Sequence, residues 1–216
     1  MPQANEILIL FIFTQFFVCF SISKPLFGEF EGKVEFSSTQ ESRKIFFVVT
    51  SEEKVLRARY NCAITSAHSQ NPSHEILVYS NHLEETQFFG LERVAVVRYD
   101  LKTVFEGTPL EGWDYEREDY KENLVNNLSN AIRLALVYKE GGIYMDFDVL
   151  SVSPFNLSNC VSLQNDGKIC NAVFSFDKGH PFLLLCMKSF VQGSKYKPQE
   201  KKTNSFLSFL RFNSFI

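Results

Sequence analysis

Two carboxylates, Asp146 and Asp148, stand two residues apart at the end of a short apolar run that follows a double glycine. The stretch reads Gly141-Gly142-Ile143-Tyr144-Met145-Asp146-Phe147-Asp148-Val149. In an extended strand, side chains i and i+2 point to the same face. On that reading both aspartates converge on one cation, or on one ligand that carries a cation. Carboxylate oxygens suit hard ions such as manganese and magnesium, which use one or two carboxylates and let substrate phosphates complete the shell. The segment therefore reads as a site for a metal-bound diphosphate. A zinc or hydrolase-like centre has less to stand on. His68, His74, His82 and His180 lack metal-ligand spacing, no cysteine pair has C-x-x-C spacing, and nothing supplies a base.

The elements that must position this pair follow from periodicity. Leu124 to Tyr138 repeats apolar residues at helical steps, and Gly141-Gly142 ends it. Ile143 to Leu150 is then the strand that carries the aspartates. Asn130 and Arg133, three apart, share a helix face otherwise crowded by apolar neighbours. An arginine there needs a partner, because a buried unpaired charge is costly. It is either a structural salt bridge to a nearby carboxylate or a fork facing a sugar hydroxyl or phosphate.

Upstream, Ile45 to Val49 is a continuous apolar run, as expected of a strand buried on both faces. Thr50 and Ser51 close it, and Ser51 suits the N-cap of an amphipathic helix from Val55 to Ser69 that stops at Asn71-Pro72. Glu75 to Ser80 and Val94 to Tyr99 read as strands, with a short helix over Leu83 to Leu91 between them. Leu101 to Glu118 reads as an irregular aromatic loop in which Trp113 either binds or packs. Ile169 to Phe176 is a further strand and Pro181 to Val191 a further helix. Strand, helix and strand at this spacing argue for an α/β fold with a mainly parallel sheet.

The 216 residues allow one core plus appendages. A net charge of −3, with no basic run, gives no footprint for nucleic acid. Ile7 to Ile22 is uncharged and rich in Ile, Leu, Phe and Val, slightly short of the roughly 20 residues that span a bilayer. It competes between a cleaved signal peptide and an uncleaved anchor, the anchor being preferred, and residues 1–23 are expected to lie outside the fold. Residues 24–42 read as a stem, 43–192 as the domain and 193–216 as an atypical, Phe-rich tail. Cys62, Cys160, Cys170 and Cys186 allow three disulfide pairings or four buried thiols. Of two glycosylation sequons, Asn156 suits a loop, whereas Asn127 falls inside the helix.

The string from Leu128-Ser129-Asn130 through Arg133 to Gly141-Gly142-Ile143-Tyr144-Met145-Asp146-Phe147-Asp148 resembles the DXD-type sugar-binding region of the α1,4-glycosyltransferases. That is the family of the lactosylceramide 4-α-galactosyltransferases and α1,4-N-acetylglucosaminyltransferases, whose pattern is Leu-Ser-Asp-x-x-Arg, an apolar run, then Gly-Gly-x-Tyr-x-Asp-x-Asp. Phe46 to Ser51, Cys62 to Ala67, Asn171 to Phe176 and Gly179 to Phe182 resemble its flanking segments, so the likeness runs from Ile45 to Val191.

The resemblance implies a GT-A-type nucleotide-diphospho-sugar transferase fold and a retaining hexosyltransferase. Such an enzyme moves galactose or an N-acetylhexosamine from a UDP-sugar, held with manganese or magnesium, to a glycolipid or glycan acceptor in α1,4 linkage. It implies Asp148 as the direct metal ligand, with Asp146 at the ribose or sugar and the metal's shell. Arg133 would hold the donor sugar, and Thr50 and Ser51 would lie near the base. Asn130, Gly142 and Tyr144 complete the implied donor pocket. The implied location is the Golgi membrane, single-pass with a lumenal domain, or the secretory lumen if the leader is cleaved. Two departures stand out. Asn130 replaces the family's aspartate, and after Val191 the family continues through a Trp-Gly-x-x-Gly-Pro stretch that this chain lacks. The expectation is a C-terminally incomplete member, with an inactive binding or pairing partner as the alternative.

Overall fold

The computed structural model describes residues 16–19, 43–116, 121, 123–156, 158–163 and 169–195. The stem at 24–42 and the tail beyond Lys195 lie outside the described residues, as does Leu157 of the second sequon. Among the described residues, seven strands form one sheet: β1 (Phe16–Cys19), β2 (Lys44–Val49), β3 (Glu75–Ser80), β4 (Val94–Val97), β5 (Gly142–Met145), β6 (Cys160–Leu163) and β7 (Ile169–Phe176). Their order across the sheet is β1-β6-β7-β5-β2-β3-β4. The expected parallel block is present, because β2 pairs in parallel with both β3 and β5, and β3 with β4. Beyond β5 the sheet turns antiparallel through β7, β6 and β1.

Helices α1 (Ala58–Gln70), α2 (Leu101–Phe105), α3 (Leu124–Glu140) and α4 (Pro181–Lys195) cover the sheet. β2 explains the two layers. Its Ile45, Phe47 and Val49 pack with Leu56, Ala63, Ile64 and Ala67 around α1. Its Phe46 and Val48 pack with Ala131, Ile132, Leu134 and Ala135 of α3, and with Leu183 and Met187 of α4. A strand buried on both faces must be apolar at every position, and this one nearly is.

Several local expectations change. The first helix begins at Ala58 rather than Val55, and its N-cap is Arg57, not Ser51. The cause is upstream: Leu56 is buried, and its N–H donates to Gln87 Oε1 at 2.6 Å, which pins the preceding loop in a non-helical path. Residues 101–105, expected to be irregular, form α2, capped by the Asp100 carboxylate accepting from the Thr103 N–H at 3.0 Å. β6 was not anticipated. Trp113 packs against Phe105, Tyr115 and Phe190, so the packing alternative holds for it. Cys62 is an exposed thiol, not a buried one. Burial pushes the Cys186 thiol up to about 12.

The apolar leader is the largest departure. Residues 16–19 pair antiparallel with β6, from Phe16 opposite Leu163 to Cys19 opposite Cys160. An uncovered β6 would present a row of open backbone groups, and an extended apolar segment satisfies them. Among the described residues no helix is long and apolar enough to cross a membrane.

The double glycine is a steric requirement. Gly141 caps α3 at φ 71°, and Gly142 opens β5 at φ 120°. A Cβ on Gly142 would lie 2.5 Å from the Lys44 carbonyl oxygen of β2, and one on Gly141 would lie 2.9 Å from the Lys178 backbone nitrogen. Gly142→Ala combines that clash with a forbidden backbone region, so a loss of about 2–4 kcal/mol is expected. The urea midpoint of the variant against the parent checks it.

Candidate functional site

β2 passes to β3 on one side, while β5 flanks its other side. The chain thus changes direction across the sheet at the β2–β5 boundary, and the carboxyl ends of these two parallel strands open there. Ligands of open α/β sheets bind at such a point. Thr50 and Ser51 follow β2, and Asp146 to Asp148 follow β5, so the sequence does bring these residues to one edge.

The two aspartates are not on the strand. β5 ends at Met145, and residues 146–149 form a turn closed by Val149 N–H donating to Asp146 O at 3.2 Å. The shared-face argument therefore fails, and the side chains divide their work. Asp146 turns inward. Its Oδ1 accepts from the Tyr144 hydroxyl at 2.5 Å and lies 3.0 Å from Arg133 Nη1, with Oδ2 at 3.3 Å from the same nitrogen. Asp148 is exposed, with no ion pair within 4.0 Å among the described residues.

Arg133 is only 4% exposed. Its Nε donates to Ser129 O at 3.2 Å, Nη2 to Ser129 Oγ at 2.9 Å, and Nη1 to both Asp146 and Asn171 O, the latter at 3.0 Å. Four of the five guanidinium N–H groups are thereby used inside the protein. Its Cζ also sits 4.3 Å from the Tyr144 ring centroid. The structural salt bridge and the functional aspartate are thus one interaction. Arg133 stands behind Asp146 and holds it, rather than in front of it.

Burial pushes the Asp146 carboxyl up, against the pull of Arg133 and the Tyr144 hydroxyl, and it pushes the Tyr144 phenol well up. Asn130 is equally buried, and its Oδ1 accepts from Asn171 Nδ2 at 2.9 Å. The amide keeps that pair neutral. Gly142 lies at the opposite end of β5, against β2, and belongs to the scaffold. Thr50 is occupied too, donating through Oγ1 to Val125 O at 2.8 Å and tying the end of β2 to the first turn of α3.

Residue spacing does not single out Ser129, Asn171 or Arg59. The first two hold Arg133 and Asn130. The third stands in the first turn of α1, which contains no acidic residue. A helix start favours acids, so a basic first turn was the available signal.

Among the described residues no group of three or more His, Cys, Asp or Glu side chains converges to hold a metal. The donor set fits one shared with a substrate. Asp148 offers an unengaged carboxylate, Asp146 is held in place by Arg133 and Tyr144, and the phosphates would supply the remaining oxygens.

An α/β sheet with an acid turn at this point is the frame of GT-A-type glycosyltransferases. The solved structure titled PaToxG glycosyltransferase superposes with a TM-score of 0.54 at 15% identity, covering 76% of this chain and 63% of that one. Residues 57–166 match the family described as the glycosyltransferase sugar-binding region containing DXD motif, and the chain belongs to it. It is 30% identical over 164 residues to human alpha-1,4-N-acetylglucosaminyltransferase, covering 69% of this chain and 48% of that protein. It is also 30% identical over 160 residues to rat lactosylceramide 4-alpha-galactosyltransferase, covering 68% of this chain and 44% of the relative. The chain thus spans about half the length of the curated relatives it matches.

Truncating Arg133 leaves Asp146 unpaired and empties a packed site. Arg133→Ala is expected to lower stability by about 3–5 kcal/mol. Asp146→Asn, whose amide oxygen still accepts from Tyr144, leaves the buried guanidinium without its counter-charge and is expected to cost about 3–5 kcal/mol as well. A loss below about 1 kcal/mol for either variant in denaturant titrations would contradict this assignment.

Proposed function

We propose that the chain is the donor-binding part of a retaining α1,4-hexosyltransferase that takes galactose or an N-acetylhexosamine from a UDP-sugar and passes it to a glycolipid or glycan. The observation that carries the reading is the division of labour at the acid turn: Asp146 fixed by Arg133 and Tyr144, and Asp148 exposed and unengaged, in a chain of the DXD family. Asp148 would hold the divalent ion, manganese or magnesium, together with the donor phosphates. The ion supplies charge stabilisation to the departing diphosphate when bound. The residues of the chain do the rest. Arg133 and Tyr144 keep the Asp146 carboxylate in one orientation, so that its exposed side is available to a sugar or ribose hydroxyl. Asn130 and Asn171 hold a neutral amide pair beside it.

Isothermal titration of UDP with and without manganese tests the reading. Metal-dependent binding is expected in the parent and a loss of more than about tenfold in Asp148→Ala, the scale of one lost metal ligand. Binding that ignores the metal, or that survives Asp148→Ala, contradicts it.

For location we propose a lumenal domain tethered to the Golgi membrane by the apolar run Ile7 to Ile22. Tethering and the β1–β6 pairing make exclusive demands on Phe16–Cys19. Carbonate-resistant association with microsomes, and a domain shielded from added protease, are expected. Release into the soluble fraction with residues 16–19 protected from proteolysis would favour the strand instead.

A further inference from the structure

Resting on the donor reading above, we propose that Arg59 is a further binding residue, a cation that clamps the donor diphosphate from the side of the acid turn opposite Arg133. The placement comes from a run of aromatic contacts. Phe47 of β2 is fully buried, and its ring lies 5.1 Å from that of Phe147, the residue between the two aspartates. Phe147 lies 5.3 Å from Tyr60. Arg59 closes the run, with its Cζ 4.9 Å from the Tyr60 ring centroid and Nη2 donating to the Tyr60 hydroxyl at 3.1 Å. The stack thus runs from the core of the sheet, through the residue between the two aspartates, out to the Arg59 guanidinium.

Arg59 and Asp148 feel one another but do not pair. The Tyr60 hydroxyl, first, and the charge of Asp148 both favour the protonated guanidinium, yet no ion pair closes between them within 4.0 Å. A carboxylate and a cation that carry no ion pair with each other leave room for charges of alternating sign between them. Asp148 would hold a divalent ion, the ion a phosphate, and the phosphate Arg59. The charge balance favours that order. One carboxylate, one divalent ion and a diphosphate diester leave one negative charge over, and Arg59 neutralises it. When the sugar–oxygen bond breaks, the bonding pair stays on the diphosphate and adds a further negative charge, which Arg59 is placed to stabilise. Its neighbour Arg57 is not available for this role, because it pairs with Glu53 at 3.3 Å.

Manganese pyrophosphate is the probe that separates this clamp from the identity of the nucleoside. In isothermal titrations of the full chain, Arg59→Ala is expected to weaken manganese-dependent pyrophosphate and UDP binding about tenfold, the scale of one charge-assisted hydrogen bond. Arg59→Lys should recover part of the loss, and manganese alone should bind as well as or better than in the parent. Pyrophosphate affinity within about twofold of the parent overturns the clamp. So does loss of manganese binding in Arg59→Ala, which would mean that the acid turn itself had collapsed. A parent that binds manganese pyrophosphate but not UDP keeps the clamp and overturns the uridine reading. A parent that binds UDP with manganese, with Arg59→Ala unchanged, does the reverse. A parent that binds neither overturns both.

Discussion

A guanidinium held in the interior decides how this molecule is assembled around its acid turn. Arg133 comes from α3, its carboxylate partner from the turn after β5, and its carbonyl partner, Asn171, from β7. Isolated, a charge so buried would cost several kcal/mol. Satisfied on four N–H groups and stacked on Tyr144, it instead fixes three elements against one another. Each contact is directional, so a shift of α3 along its axis or of β7 in register would break several at once. The surrounding sequence serves that fit. The two glycines let the chain turn from α3 into β5 within a space that no side chain can share.

The same constraint separates rigidity from availability. Carboxylates beside each other repel, and a pair meant to meet a cation must wait without one. Here Asp146 is balanced permanently by the protein, while Asp148 is left to solvent. Asn130, at the position where the family pattern has an aspartate, adds no charge: its amide oxygen accepts from Asn171, the residue whose carbonyl accepts from Arg133. The amide pair with Asn171 keeps the hydrogen-bond geometry without the charge.

Much of this was legible in the residues. The unbroken apolar run of β2 announced a strand covered on both faces, and the periodicity of α3 with its terminal glycines announced a helix feeding directly into a strand. The requirement that Arg133 find a carboxylate was also legible, although its partner, one of the two site aspartates, was not. What escaped has physical reasons. The start of α1 is set by Gln87, thirty-one residues away from Leu56, which local propensity does not register. The strand β6 is four residues long and is defined by its neighbours. The end of β5 falls before the aspartates because Asp146 turns toward Arg133, a tertiary pull that the i, i+2 pattern cannot contain. α2 could have been read, since Asp100 and Thr103 spell its cap.

The position of β5 also sets the order of assembly. β2, β3 and β4 are successive in sequence and pair in parallel through a single intervening segment each, so their contacts close short loops. β5 joins β2 only when Ile143 meets Ile45, a much longer closure than those within the parallel block. The turn bearing Asp146 and Asp148 follows β5 directly, so its place beside β2 is set by that pairing. A chain emerging from synthesis therefore has α1 and its first three parallel strands in hand well before the acid turn can take its place beside β2.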